Sequence, residues 1–197
     1  MVLQVAPFEV PMEELANFIE SASLETGGGS DAFVDRPADL VGPIPTFSAD
    51  PRTIAAGDWS GVEHIGWRAL TRRGSEATSV LDMFSGQEGV SFSQRGLDAA
   101  NAFERALEKV AQFEDVDKLY EIRWLTLPVI YLTAVWLSGD PDEFIPTRLG
   151  GRNRVDPVVI TREQLQALAA ELVEQSSGAT EAEEGSFSDL PGSRSGL

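Results

Sequence analysis

Hydrophobic positions crowd most densely at residues 119–137, LYEIRWLTLPVIYLTAVWL. Residues 120–127 are rich in types that suit strands, and Pro128 both ends strand pairing and fits the first position of a helix, where its missing N–H costs nothing. The pattern predicts a buried strand turning into a buried helix over 129–137, apolar on nearly every side and therefore covered all round. A membrane span is excluded on length. The uninterrupted apolar part from Leu125 is about half of the roughly 20 residues a bilayer requires, and Glu121 and Arg123 lie just before it.

Periodicity predicts three more helices. Leu15, Phe18, Ile19 and Ala22 follow the i, i+3, i+4, i+7 pattern over residues 11–24. Ala100, Phe103, Ala106, Leu107 and Val110 share one face of a helix over 94–112, opposite Asp98, Arg105, Glu108 and Lys109, with Ser93 as its N-cap; such a helix lies on a sheet. The last helix starts at Thr161, which forms a capping box with Gln164. Ile160 and Leu165 sit at the positions of a hydrophobic staple, and Leu165, Leu168, Ala169, Leu172 and Val173 form its buried stripe.

Strand signals are fewer. Residues 67–71 and 78–83 flank Arg72-Arg73-Gly74-Ser75, a hairpin whose glycine supplies a positive φ. A short strand over 144–148, after the loop Ser138-Gly139-Asp140-Pro141, would complete a strand–helix–strand crossover, right-handed if the two strands are parallel.

The segment 25–61 carries Gly27-Gly28-Gly29-Ser30 and then Pro37, Pro43, Pro45 and Pro51 among small and polar residues, which predicts an extended surface connection. From Ser176 the chain is Ser, Gly and Glu with little to bury, which predicts a disordered acidic tail over 176–197. The expected architecture is a mixed α+β fold in one globular domain, residues 1–175. A small sheet, with its hairpin and strand–helix–strand unit, is packed by about four helices.

Composition narrows the class. A chain of 197 residues that is 42% hydrophobic can bury a sizeable core. The absence of cysteine removes disulfides, thiolate nucleophiles and cysteine-ligated metals. The start, MVLQVAPFEVPMEEL, has no basic stretch followed by a continuous apolar one, so the expected location is cytoplasmic. A net charge of −17, from 32 acidic against 15 basic residues, repels nucleic acid and anionic membranes and favours a basic protein partner. The first sixty residues alone bring ten acids against Arg36 and Arg52.

Candidate chemistry is sparse. His64 is the single side chain with an ordinary pKa suited to proton transfer at neutral pH; Asp58, Ser60 and Glu63 are its neighbours, but residues so close in sequence seldom reach triad geometry. Asp140, Asp142 and Glu143 are the carboxylates nearest to a hard-cation site, although the glycine and distal glutamate of an EF-hand are missing. Gly27-Gly28-Gly29-Ser30 lacks the lysine of a P-loop, and no cofactor is expected. Arg148, Arg152 and Arg154 surround Gly150-Gly151, a loop able to wrap an anion or to pair with surface carboxylates. Trp124 and Trp136 read as core, while Trp59 has loop-like flanks and reads as an interface anchor or edge-of-core residue.

The expected function is a non-catalytic acidic interaction protein, such as an inhibitor, chaperone or assembly factor. It would meet a basic partner through Glu13, Glu14, Glu20 and Glu25 with Trp59 as anchor. One alternative is an enzyme acting on a small anionic substrate, with Arg148, Arg152 and Arg154 as binders and His64 as acid or base. A purely structural component of a larger assembly is the other.

Overall fold

A computed structural model of the chain describes residues 2–5, 13, 40–86, 89–112, 119–153 and 156–184. The fold is of the mixed α and β class, and its sheet is far larger than the sequence pattern suggests. Two antiparallel meanders lie side by side. The first comprises β2 (Leu40–Ser48), β3 (Glu63–Arg73), β4 (Glu76–Gly86) and β5 (Gly89–Arg95); the second comprises β6 (Leu119–Leu127), β7 (Leu132–Ser138) and β8 (Glu143–Leu149). They join where residues 46–48 of β2 run parallel to residues 124–126 of β6. A further strand, β1 (Val2–Val5), pairs in parallel with the first half of β6, and the two-residue strands β9 (Arg152–Asn153) and β10 (Ile160–Thr161) flank β8.

Three helices cover this sheet among the described residues. Helix α2 (Leu97–Ala111) connects the meanders and touches β3 and β4 of one and β7, β8 and β9 of the other, so the sheet curls about it. Its Ala100, Phe103, Ala106 and Val110 pack on Ile44, Leu70, Val80, Trp124, Val135 and Ile145, as the apolar stripe predicts. The opposite face is closed by the short helix α1 (Pro51–Ala55) and by α3 (Arg162–Glu184). Ile54, Leu165 and Ala169 meet Phe47, Leu125, Leu127, Ala134, Trp136 and Phe144 there.

This two-sided cover corrects the reading of residues 129–137 as a helix. Pro128 starts a 3-10 turn of three residues, Pro128–Ile130, and Tyr131, at φ 50 and ψ 40, ends it by turning left-handed. The chain then returns as β7 with Leu127 opposite Leu132. An apolar run without periodicity belongs equally to a strand buried on both faces, and six consecutive residues of β7 are buried. The strand–helix–strand crossover is accordingly a three-strand antiparallel meander.

Two other expectations are corrected by long-range pairing. Residues 40–48 form β2 in mid-sheet, not a surface connection. Pro43 lies at an irregularity between Val41 and Ile44, and Pro45 precedes the stretch paired on both sides, so neither interrupts that stretch. Helix α2 starts three residues after the predicted start at 94, because Ser93, Gln94 and Arg95 are held in the ladder against Asp82, Leu81 and Val80; Gly96 is the N-cap and makes no side-chain cap bond.

Local signals hold elsewhere. The β3–β4 hairpin turns at Gly74-Ser75 with Gly74 at φ 63. At the start of α3 the Thr161 N–H donates to Gln164 Oε1 (2.9 Å) and the Gln164 N–H to Thr161 Oγ1 (3.3 Å), a complete capping box. The helix continues past Gln175 to Glu184; residues 185–197 lie outside the described residues, as does the helix expected over 11–24 apart from Glu13.

Candidate anion-binding site

The concave face of the sheet is apolar where α2 covers it and charged beside the first turn of that helix. Arg68 stands on β3 directly opposite Asp82 on β4, and both are almost fully buried, at 4% and 1% exposure. Arg68 Nε donates to Asp82 Oδ1 at 2.5 Å, and its guanidinium lies 4.1 Å from the centre of the Trp124 ring. From β5, Arg95 Nε donates to Asp82 Oδ2 at 2.8 Å. One carboxylate thus has both oxygens committed to two guanidinium groups.

Arg148 of β8 is the third cation of the cluster, brought there by a β-bulge. Ala134 pairs with Pro146, but Thr133 pairs with Arg148, so Thr147 is an extra residue in β8. A bulge sends consecutive side chains to one side of the sheet, and Thr147 and Arg148 both face the cleft beside Thr133. The Thr133 and Thr147 hydroxyls are 2.9 Å apart and bonded to each other. Arg148 rests its guanidinium 5.6 Å from the Tyr131 ring centre and has no ion-pair partner among the described residues.

These groups open onto a cavity of about 380 Å³, within the size range of small-molecule sites. Its polar lining is Thr46, Arg68, Arg95, Thr126, Thr133 and Arg148; its apolar lining is Ile65, Phe84, Pro128, Tyr131 and Leu132. A second cleft continues past Arg95 and Arg148 to residues 96–99, the first turn of α2, where the positive end of the helix dipole adds to the guanidinium charge and Asp98 opposes it.

The electrostatics is that of crowded cations in a low dielectric. Burial pulls Arg68 below the usual arginine value, attraction to Asp82 opposes that pull, and the nearby charges of Arg95 and Arg148 add to it. Two atoms in the cavity lining, Arg148 Nε and Thr46 Oγ1, are buried without a hydrogen-bond partner among the described residues. A buried donor left unmade costs about 1–3 kcal/mol, more when charged. The indole Nε1 atoms of Trp59, Trp67, Trp124 and Trp136, which also lack a partner among the described residues, belong to side chains outside this lining.

Of the candidate site residues singled out in the sequence, Arg148 alone lines this cavity. Arg152 is exposed on β9, and Arg154 lies outside the described residues. His64 packs edge-on against the rings of Phe47 (5.4 Å) and Trp67 (5.0 Å), and burial lowers its pKa while a hydrogen bond with the Gly66 backbone raises it. Trp59 is half-buried against Trp136 and Phe144, with the Arg162 guanidinium 4.9 Å from its ring centre, an edge-of-core residue.

The three carboxylates considered for a cation are not brought together. Asp142 is buried, accepts the Gly139 N–H at 3.0 Å and pairs with Arg162; Glu143 accepts the Tyr120 hydroxyl at 2.7 Å; Asp140 is exposed. Among the described residues no cluster of three or more metal-ligating side chains occurs. Glu13 is exposed, and Glu14, Glu20 and Glu25 lie outside the described residues.

Sequence inspection missed Arg68, Asp82 and Arg95. The available signal was opposite charges embedded in the two apolar arms of one hairpin, Arg68 between Trp67 and Ala69 and Asp82 between Leu81 and Met83. The irregularity after Thr71 shifts their pairing by one position from simple counting back from the turn. No protein-family model, curated protein or solved structure matches this chain.

Proposed function

We propose that this protein binds a small organic anion in the cavity at the open end of the curled sheet. One observation carries the proposal: Arg68 and Arg95 use both oxygens of the Asp82 carboxylate, and a third guanidinium in the same cleft, that of Arg148, is left in surplus, with its Nε buried and without a partner among the described residues. Concentrating positive charge inside a chain of net charge −17 is costly, and a bound anion would offset that cost. Long-range repulsion from the acidic exterior is screened beyond about 8–10 Å at physiological salt, so the local guanidinium groups dominate once a ligand reaches the mouth.

Binding, not turnover, is the activity this lining supports. Guanidinium and hydroxyl groups orient an anion but exchange no proton at neutral pH, and His64 sits on the Phe47 side of the sheet, outside the lining. The test is thermal unfolding of the full chain with acetate, phosphate, octanoate or phenyl phosphate. A binding anion at a hundred times its Kd should stabilise the fold by about 2.7 kcal/mol, and Arg148→Gln should abolish the effect. Stabilisation that survives in Arg148→Gln, or none with any of the four, would overturn the proposal.

A further inference from the structure

The cavity is two-ended, and its ends differ in depth as well as chemistry. At the inner end Thr46, Arg68 and Thr133 are buried, with 1%, 4% and 6% exposure. The rim is the turn at residues 128–131, where Pro128 and Val129 are exposed and Tyr131 shows 60% of its surface. Ile65, Phe84 and Leu132 supply apolar wall in the same cavity. A bare inorganic anion would engage the inner end and leave that wall wet. A strongly polar ligand such as a sugar phosphate would set hydroxyl groups against side chains that cannot hydrogen-bond to them.

On the basis of the anion-binding function proposed above, we infer that the ligand is amphipathic: an anionic head held at Arg148 and Thr46, and an apolar body running outward beneath the turn at residues 128–131. The planar fork of Arg148 suits a carboxylate or phosphate oxygen pair, and the Thr46 hydroxyl is free to donate to the same head. Size sets a limit. At roughly 30 Å³ per water-sized unit, the cavity of about 380 Å³ holds on the order of a dozen non-hydrogen atoms, a head plus about eight to ten carbons.

Tyr131 is placed to close over the body. It is the one non-glycine residue with positive φ among the described residues, and such a conformation in a bulky side chain is strained, a strain that concentrates at ligand clamps. Its ring already stacks on Arg148, the residue assigned to the head. One side chain therefore touches both the charged end and the exit, and its loss should be felt by the body of a ligand more than by its head.

Calorimetric titration of the full chain with matched probes separates the alternatives. Each buried methylene is worth about 0.8 kcal/mol, roughly fourfold in affinity, so octanoate should bind at least tenfold tighter than acetate, and phenyl phosphate at least tenfold tighter than phosphate. Lengthening to dodecanoate should add little, because the extra carbons pass the rim into water. Arg148→Gln should weaken both members of each pair tenfold or more. Tyr131→Gly, in which glycine accepts the left-handed backbone without strain, should weaken octanoate several-fold more than it weakens acetate.

Equal binding of tailed and bare anions would overturn the amphipathic assignment and leave the anion site standing. Failure of every probe to bind would overturn the anion site itself. Affinity that continues to climb through dodecanoate would assign the tail to an open surface in place of this cavity, and unchanged octanoate binding in Tyr131→Gly would overturn the outward orientation.

Discussion

The two faces of one sheet have opposite characters. The face under α1 and α3 is mainly aromatic: Phe47, Trp136 and Phe144 meet ring to ring at 5.7 and 5.9 Å, Trp59 closes their edge, and the guanidinium groups there, Arg123 and Arg162, lie over ring faces. The concave face has the same kind of apolar contact beneath α2, where Phe103 stands edge-on to Trp124 at 4.7 Å, and then becomes a cluster of arginines where the helix begins. A sheet face closed by helices is free to be wholly apolar. Charges that persist on a partly open face need compensation within the fold, here from Asp82, and the charge left over is available to a ligand.

Mutations can sharpen or break this contrast. Phe144→Ala on the closed face should cost about 3–5 kcal/mol in urea unfolding, because it opens a cavity among packed rings. Asp82→Asn should cost a comparable amount, about 3–5 kcal/mol, since it leaves the buried Arg68 and its neighbour Arg95 without their anion. A cost below about 1 kcal/mol for Asp82→Asn would show that water reaches Arg68 and that the charged face is open to its floor.

Smaller effects test the edges of the comparison. Thr161→Ala should destabilise by about 0.5–2 kcal/mol through loss of the capping box of α3, measured as a lowered midpoint with unchanged slope. A neutral result would mean that the closed face holds this helix by packing alone. Arg148→Gln should change stability least, within about 0.5 kcal/mol and in the stabilising direction, because it removes a cation near Arg68 that has no carboxylate of its own among the described residues. A clear loss of stability in this variant would give Arg148 a structural role.

Much of the helical layer was legible without tertiary information. The stripe of Ala100, Phe103, Ala106 and Val110, the Thr161–Gln164 box and the Gly74 turn all stand where the sequence places them. Each depends on residues a few positions apart, so the physics that forms the element is contained in the segment that encodes it. The β8 strand was legible for a similar reason, since its apolar residues follow the loop Ser138-Gly139-Asp140-Pro141 and keep a short, bounded run.

What only the tertiary structure decided are the features that depend on distant partners. Residues 132–138 form a strand because β6 and β8 pair with them and both faces are covered, conditions that erase the two-residue alternation by which a strand is usually read. Ser93 could have capped a helix, but pairing with Asp82 keeps it in β5. Arg148 lines the cavity through a bulge that exists only in register with β7, and Arg68, Asp82 and Arg95 become one cluster only when three strands align. The chain alone determined the amphipathic stripe of α2, the capped start of α3 and the turn at Gly74, because those are short-range equilibria. Which side chains converge, and therefore where the proposed anion site lies, was decided by strand register, which is set by the packing of the whole sheet.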